Sequence, residues 1–241
     1  SMKLKVEFAK ALSHAAEGQD AEARVLLTKV IDSGDETLAR NAQLQMISMA
    51  EKQDPQEAVR TYAAMLTQLR SEEDRVRVLI RLASAYFRLG QYDESVAASQ
   101  QLLDVAVDAN DIANALFVQG NSHFRAGDLA KAVQTYQTIV DNYPQIGWAR
   151  NALFQIGATY NKLSGGGNVQ YLPKMSESFE KYYTQYPDDK KAVYAYYYGA
   201  FALYRMGKWR GASDVFTELQ AKHPSSDFAA QSLFRSGEAV F

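Results

Sequence analysis

The chain has 241 residues, 47% of them hydrophobic and 22% charged, which excludes disordered and collagen-like classes and suits one large domain or two small ones. A formal net charge of −2 with dispersed Lys and Arg gives no field to gather a phosphate backbone, so nucleic acid is not an expected partner. The absence of cysteine removes disulfides, thiolate metal sites and thiol catalysis together.

From the N-terminus, Met2-Lys3-Leu4-Lys5 runs straight into amphipathic sequence without an apolar leader, and Ser1 before Met2 reads as a cloning remnant. A string then recurs along the chain: Gly, a small residue five positions on, an aromatic or aliphatic four later, and often Pro eight after that. It is clearest as Gly90-Ser95-Ser99, as Gly127-Ala132-Tyr136-Pro144 and as Gly207-Ala212-Phe216-Pro224. Weaker copies are Gly18-Ala23-Leu27, Gln53-Ala58-Tyr62 and Met175-Phe179-Pro187. The small-position anchors Ala23, Ala58, Ser95, Ala132, Met175 and Ala212 are spaced by 35, 37, 37, 43 and 37 residues.

Each period holds two segments of about 14 residues with apolar residues at i, i+3, i+4 and i+7, such as Leu79, Leu82, Ala83 and Tyr86. The hairpins fall at about 4–37, 39–72, 76–110, 113–146, 150–189 and 193–226, with a lone helix at 227–241, giving thirteen helices. One helical hairpin cannot bury its apolar face alone, so the hairpins are expected to stack into a single solenoid over 1–241. Small residues at Ala83, Gly120, Gly157 and Ala200 predict close crossings within pairs. Asp54-Pro55 reads as a helix cap followed by a first-turn proline, and Pro144, Pro187 and Pro224 close second helices. The 43-residue step is explained by an insertion, 164–169, carrying Gly165-Gly166-Gly167, which reads as a surface turn or a hinge. No apolar stretch reaches the roughly 18 residues of a membrane span, and the chain stops inside an apolar segment at Phe241, as a fragment of a longer protein would.

These residues resemble the tetratricopeptide repeat family, with the fourth unit showing Leu116, Gly120, Ala132, Tyr136 and Pro144 at the family's offsets. His123 departs from it, standing where an aromatic is usual, and three units lack the closing Pro. The resemblance implies an all-α, right-handed superhelix whose first helices line a concave groove. In that frame "NALFVQG" (114–120), "NALFQIG" (151–157), "YAYYYGA" (194–200) and "QSLFRSG" (231–237) place Phe117, Phe154, Tyr197 and Phe234 in one stripe. Asn114, Asn151, Tyr194 and Gln231 flank it; Asn121, Phe124, Arg125, Asn161, Lys162, Phe201, Tyr204 and Arg205 follow one turn on, and the third unit offers Arg77, Phe87 and Arg88. Aromatics with amides and cations suit peptide recognition, yet aromatics at helical spacing equally suit helix packing. The row Arg88, Arg125, Lys162 and Arg205 also suits plain solvated charge. Because 19 of 28 aromatics lie after residue 145, the binding surface is expected in the C-terminal half.

No catalytic motif appears. The triple glycine lacks the following Gly-Lys-Ser/Thr of a phosphate loop, and His14, His123 and His223 have no ligand-spaced acidic partner, so neither cofactor nor metal is expected. The expected function is a non-enzymatic scaffold for a protein or peptide. The alternatives are a self-assembling module joined through its open ends and a regulatory repeat domain of a larger cytoplasmic protein. The Tyr143-Pro144 and Tyr186-Pro187 strings are similar to bacterial envelope members of the family, the Tol-Pal-associated periplasmic protein and the barrel-assembly lipoprotein. That likeness implies a periplasmic or envelope location, with any targeting segment outside this sequence.

Overall fold

The computed structural model describes residues 2–50, 54–69 and 71–240, without the side chains of 50, 68, 233, 234 and 236–240. Among them thirteen α-helices and no strand are found. In order these are α1 (Met2–Ala16), α2 (Asp20–Ile31), α3 (Glu36–Ala50), α4 (Pro55–Gln68), α5 (Glu72–Arg88) and α6 (Tyr92–Val105). Then come α7 (Ala109–Ala126), α8 (Leu129–Asn142), α9 (Gly147–Leu163), α10 (Leu172–Gln185), α11 (Ala192–Arg205), α12 (Trp209–Lys222) and α13 (Asp227–Val240). They pair as the periodicity predicts. The helices fall into two compact units divided between Ala106 and Val107, so the glycine insertion lies inside the second.

Local chemistry fixes the helix ends. Asp54 accepts a hydrogen bond from the Glu57 N–H at 3.0 Å with Pro55 opening α4, as the cap reading requires. Asp108 Oδ1 accepts from the N–H groups of Asn110 (2.8 Å) and Asp111 (3.2 Å) at the head of α7. That helix ends at Gly127, φ 93°, where the Asp128 N–H reaches back to the His123 carbonyl at 2.9 Å; a side chain at such a φ is disfavoured. The N–H groups of Tyr143, Tyr186 and His223 close α8, α10 and α12 on the carbonyls of Ile139, Tyr182 and Leu219, one residue before each proline.

In both units the seam follows the repeat anchors. Ala23, Ala58, Ser95, Ala132, Met175 and Ala212 are all buried, as are Leu27, Tyr62, Ser99, Tyr136, Phe179 and Phe216 four residues later. Gly120 and Gly157 let the crossing helix sit against their backbones: a Cβ on either would lie 2.7 Å from the ring of Tyr136 or Phe179 respectively. At Ala83 the crossing is instead tied by the Ser95 hydroxyl, which donates to the Ala83 carbonyl at 2.9 Å. Within each unit consecutive helices pack on each other, and first helices also touch first helices, α1 on α3 in the first unit and α7 on α9, α9 on α11 and α11 on α13 in the second. Each unit therefore carries one face made of first helices.

Candidate functional site

The stripe position is where the first-helix faces begin. In the second unit Phe117 meets Tyr136 and Trp148 at ring separations of 5.8 and 5.0 Å. Phe154 is edge-on to Phe179 and Tyr182 at 5.8 and 5.2 Å. Tyr197 contacts Phe216 at 5.8 Å and Phe228 at 4.6 Å. All three are half-buried, each ring reaching the second helix of its own hairpin, and Phe117 and Tyr197 also reaching the next first helix. Phe117 and Tyr197 thus join repeats, and all three rings stay partly exposed. The side chain of Phe234 lies outside the described residues.

The flanking polar groups are similarly engaged. Asn121 Oδ1 accepts the Tyr136 hydroxyl at 2.6 Å, satisfying a phenol that burial pushes well above its ordinary pKa. Asn151 Oδ1 accepts from Lys191 Nζ at 3.2 Å, and the same ammonium stands 5.1 Å above the Phe154 ring. Beside it the carboxylate of Asp189 is held below its usual range: burial opposes ionisation, but the Lys191 N–H, Tyr182 and Arg150 outweigh it. Asn114 is half-buried on α7 and Arg125 is exposed. Lys162 Nζ lies 4.6 Å over Phe124.

Arg205, expected as a groove or solvated cation, has a structural contact that spans 41 residues. Its guanidinium donates to Ser164 twice, to Oγ at 3.1 Å and to the carbonyl at 2.9 Å, and so pins the start of the glycine insertion to the end of α11. The insertion folds as two short 3₁₀ turns, Gly165–Gly167 and Val169–Tyr171.

A concavity of this face lies between α11 and α13. Tyr197, Ala230, Gln231 and Arg235 line a cavity of about 380 Å³. Tyr194 is 47% exposed and edge-on to Phe228 at 5.1 Å. The Arg235 guanidinium stands over both Phe201 and Tyr204, at 5.9 and 5.4 Å. Arg235 and Phe228 were not among the expected site residues; extending the stripe from Tyr197 by one repeat period reaches this helix.

The first unit carries a groove the sequence reading did not anticipate. Counting back from Phe117 by 37, 36 and 36 residues gives Ile80, Leu44 and Phe8, and all three line one concavity across α5, α3 and α1. Arg77 and Arg88 line it too, as does Arg81, while Phe87 packs against Tyr92 at 5.9 Å. The signal was the same repeat register, hidden because aliphatic residues and arginines replace the aromatics of the second unit.

Two segments match family models described as tetratricopeptide repeat, residues 74–145 and residues 194–226. No curated protein shows significant sequence similarity to the chain. Among solved structures it is similar to MamA from Desulfovibrio magneticus RS-1, with 17% identity over 80% of this chain and 98% of that one and a TM-score of 0.58. It is also similar to a tetratricopeptide repeat protein from Parabacteroides merdae, with 15% identity, coverage of 100% and 94%, and a TM-score of 0.58. A third is a signal transduction ATPase with numerous domains from Pyrococcus horikoshii that carries a tetratricopeptide sensor. There the identity is 15% and the TM-score 0.74, over 97% of this chain and 41% of that one. At these identities the likeness shows the fold alone. The fold class is a helical solenoid of tetratricopeptide type. The two matched segments together span less than half of the chain, and it is on those segments that the match places the repeat.

Among the described residues no helix is long and apolar enough to cross a membrane, and no group of three or more His, Asp or Glu is gathered as for a metal ion.

Proposed function

We propose that the chain is a non-enzymatic scaffold that holds a protein or peptide on its first-helix faces, with the α11–α13 face of the second unit as a principal surface. The cavity beside Tyr197 carries this reading: rigid rings with exposed edges, an amide and a guanidinium stacked on aromatics form the kind of surface that anchors a partner. Of the expected residues, Tyr197 lines the cavity and Tyr194, Phe201 and Tyr204 adjoin it through Phe228 and Arg235, whereas Phe117, Phe154, Asn121 and Arg205 are engaged in contacts between helices elsewhere in the unit. The test is capture from native extract by the wild-type chain and by a Tyr194→Ser/Gln231→Asp variant, both positions being exposed. Proteins held on this face are expected to drop out of the retained set with unchanged helicity, while an exposed second-helix change, Gln137→Ser, keeps them. Retention of the full wild-type set by the double variant refutes the surface.

The bacterial envelope location is part of the same proposal and is supported by the Tyr143-Pro144 and Tyr186-Pro187 strings. Capture from envelope rather than cytosolic fractions tests it. A second reading, a regulatory repeat domain, is supported by the Pyrococcus structure, in which a tetratricopeptide sensor belongs to a signal transduction ATPase. A nucleotide-hydrolysing partner in the captured set favours that reading.

A further inference from the structure

The groove of the first unit differs chemically from the second unit's face. One side is apolar: Phe8 and Leu12 from α1 stand beside Leu44 of α3 and Ile80 of α5, and Leu12 is 39% exposed. The other side is cationic and comes from α5 alone, because Arg77, Arg81 and Arg88 recur at four and seven residues and so share one helix face. Among the described residues no carboxylate lines this concavity.

The three arginines are not equivalent. Arg77 is paired with Glu73 and, at 3.4 Å, with Asp74, which also takes Arg40 Nε at 3.0 Å. The head of α5 is therefore balanced. One turn further on, Arg81 is exposed and has no carboxylate partner among the described residues; Arg88, two turns beyond, is exposed on the same wall. A guanidinium beside an apolar floor interacts more strongly with a carboxylate than one surrounded by water, and covering it with a neutral or basic segment leaves it desolvated without recompense.

We propose that this groove takes an acidic amphipathic segment of a partner protein, its apolar side chains against Phe8, Leu12 and Ile80 and a carboxylate on Arg81. The inference rests on the reading that first-helix faces hold the partner, and it names the chemistry of that partner at a surface separate from α11–α13.

The experiment uses the full chain as bait for a random-sequence peptide library, followed by fluorescence anisotropy with the enriched peptides. Enriched peptides are expected to combine Asp or Glu with apolar residues. Their affinity is expected to fall about tenfold or more for Arg81→Gln, further for Arg81→Glu, and to weaken with added salt. Their Asn/Gln counterparts bind weakly, and Tyr194→Ser/Gln231→Asp leaves binding unchanged. Circular dichroism confirms that the exposed substitutions keep the fold. Enrichment of neutral or basic peptides, no enrichment, equal binding by Arg81→Glu, or displacement of the peptide by single-stranded oligo-dT overturns the proposal. If acidic peptides ignore Arg81 but lose affinity in the second-unit variant, the scaffold reading stands and this inference fails. If neither variant affects binding or capture, the reading itself fails.

Discussion

Gly157→Ala adds one methyl group at the closest helix crossing of the second unit. The new Cβ would lie 2.7, 2.8 and 3.0 Å from Cε1, Cδ1 and Cζ of Phe179. That ring is 1% exposed and is held by Phe154 at 5.8 Å and Tyr198 at 6.1 Å, so it cannot swing aside. Overpacking of this kind costs about 1–3 kcal/mol, against which the better helix propensity of Ala returns up to about 1 kcal/mol. The net is a loss of up to about 2 kcal/mol. Gly211→Ala is the control: its Cβ meets only Leu203 Cδ1 at 3.7 Å, an ordinary contact, so propensity decides and the variant is expected to be neutral or up to about 1 kcal/mol more stable. Adding Phe179→Leu to Gly157→Ala removes the ring atoms that collide, and a double-mutant cycle is expected to return a favourable coupling of about 1 kcal/mol. Urea unfolding followed by far-UV circular dichroism measures the differences. Hydrogen exchange of α9 and α10 localises them, since repeat stacks need not unfold in one step. Gly157→Ala as stable as Gly211→Ala would refute the crossing argument.

Two further outcomes are expected. Arg205→Lys keeps the charge but not the fork that reaches Ser164 Oγ and O together, so hydrogen exchange in 165–171 should rise by about tenfold while the helices of the first unit stay protected. Alkaline stability should fall above about pH 10, the pKa of an unfolded tyrosine. Burial raises the Tyr136 phenol in the folded state, so its contribution is complete below the unfolded pKa and is lost as pH climbs toward the folded one. Tyr136→Phe should lose about 1 kcal/mol at neutral pH with its bond to Asn121, yet flatten part of the alkaline decline seen in urea midpoints against pH. Burial raises Tyr182 and Tyr183 likewise, so the decline should persist in part.

The architecture was legible because repeat spacing constrains buried positions strongly: a residue at the anchor offset is small or flexible in every hairpin, and Gly120 and Gly157 stand where their crossings admit no Cβ. The Asp54 cap and the three proline stops are local effects and were legible for that reason. The site was less so. Phe154 and Tyr197 satisfy helix packing and surface exposure at once, since a large ring at a repeat junction spans both, and periodicity cannot divide those roles. Arg205 read as a groove residue or solvated charge because its partner Ser164 lies in another hairpin, beyond any i, i+4 pattern. Counting aromatics pointed to the C-terminal half, and although Arg77 and Arg88 of α5 were noted, Ile80 and Arg81 in the same register were passed over.

The central claim is that partners meet first helices rather than second helices. A photo-reactive benzoylphenylalanine placed in turn at Leu12, Tyr194, Gln137 and Thr217, all exposed, tests it directly in native extract. Adducts from Leu12 or Tyr194, absent from Gln137 and Thr217, are the expected result; adducts confined to Gln137 and Thr217 would contradict the account.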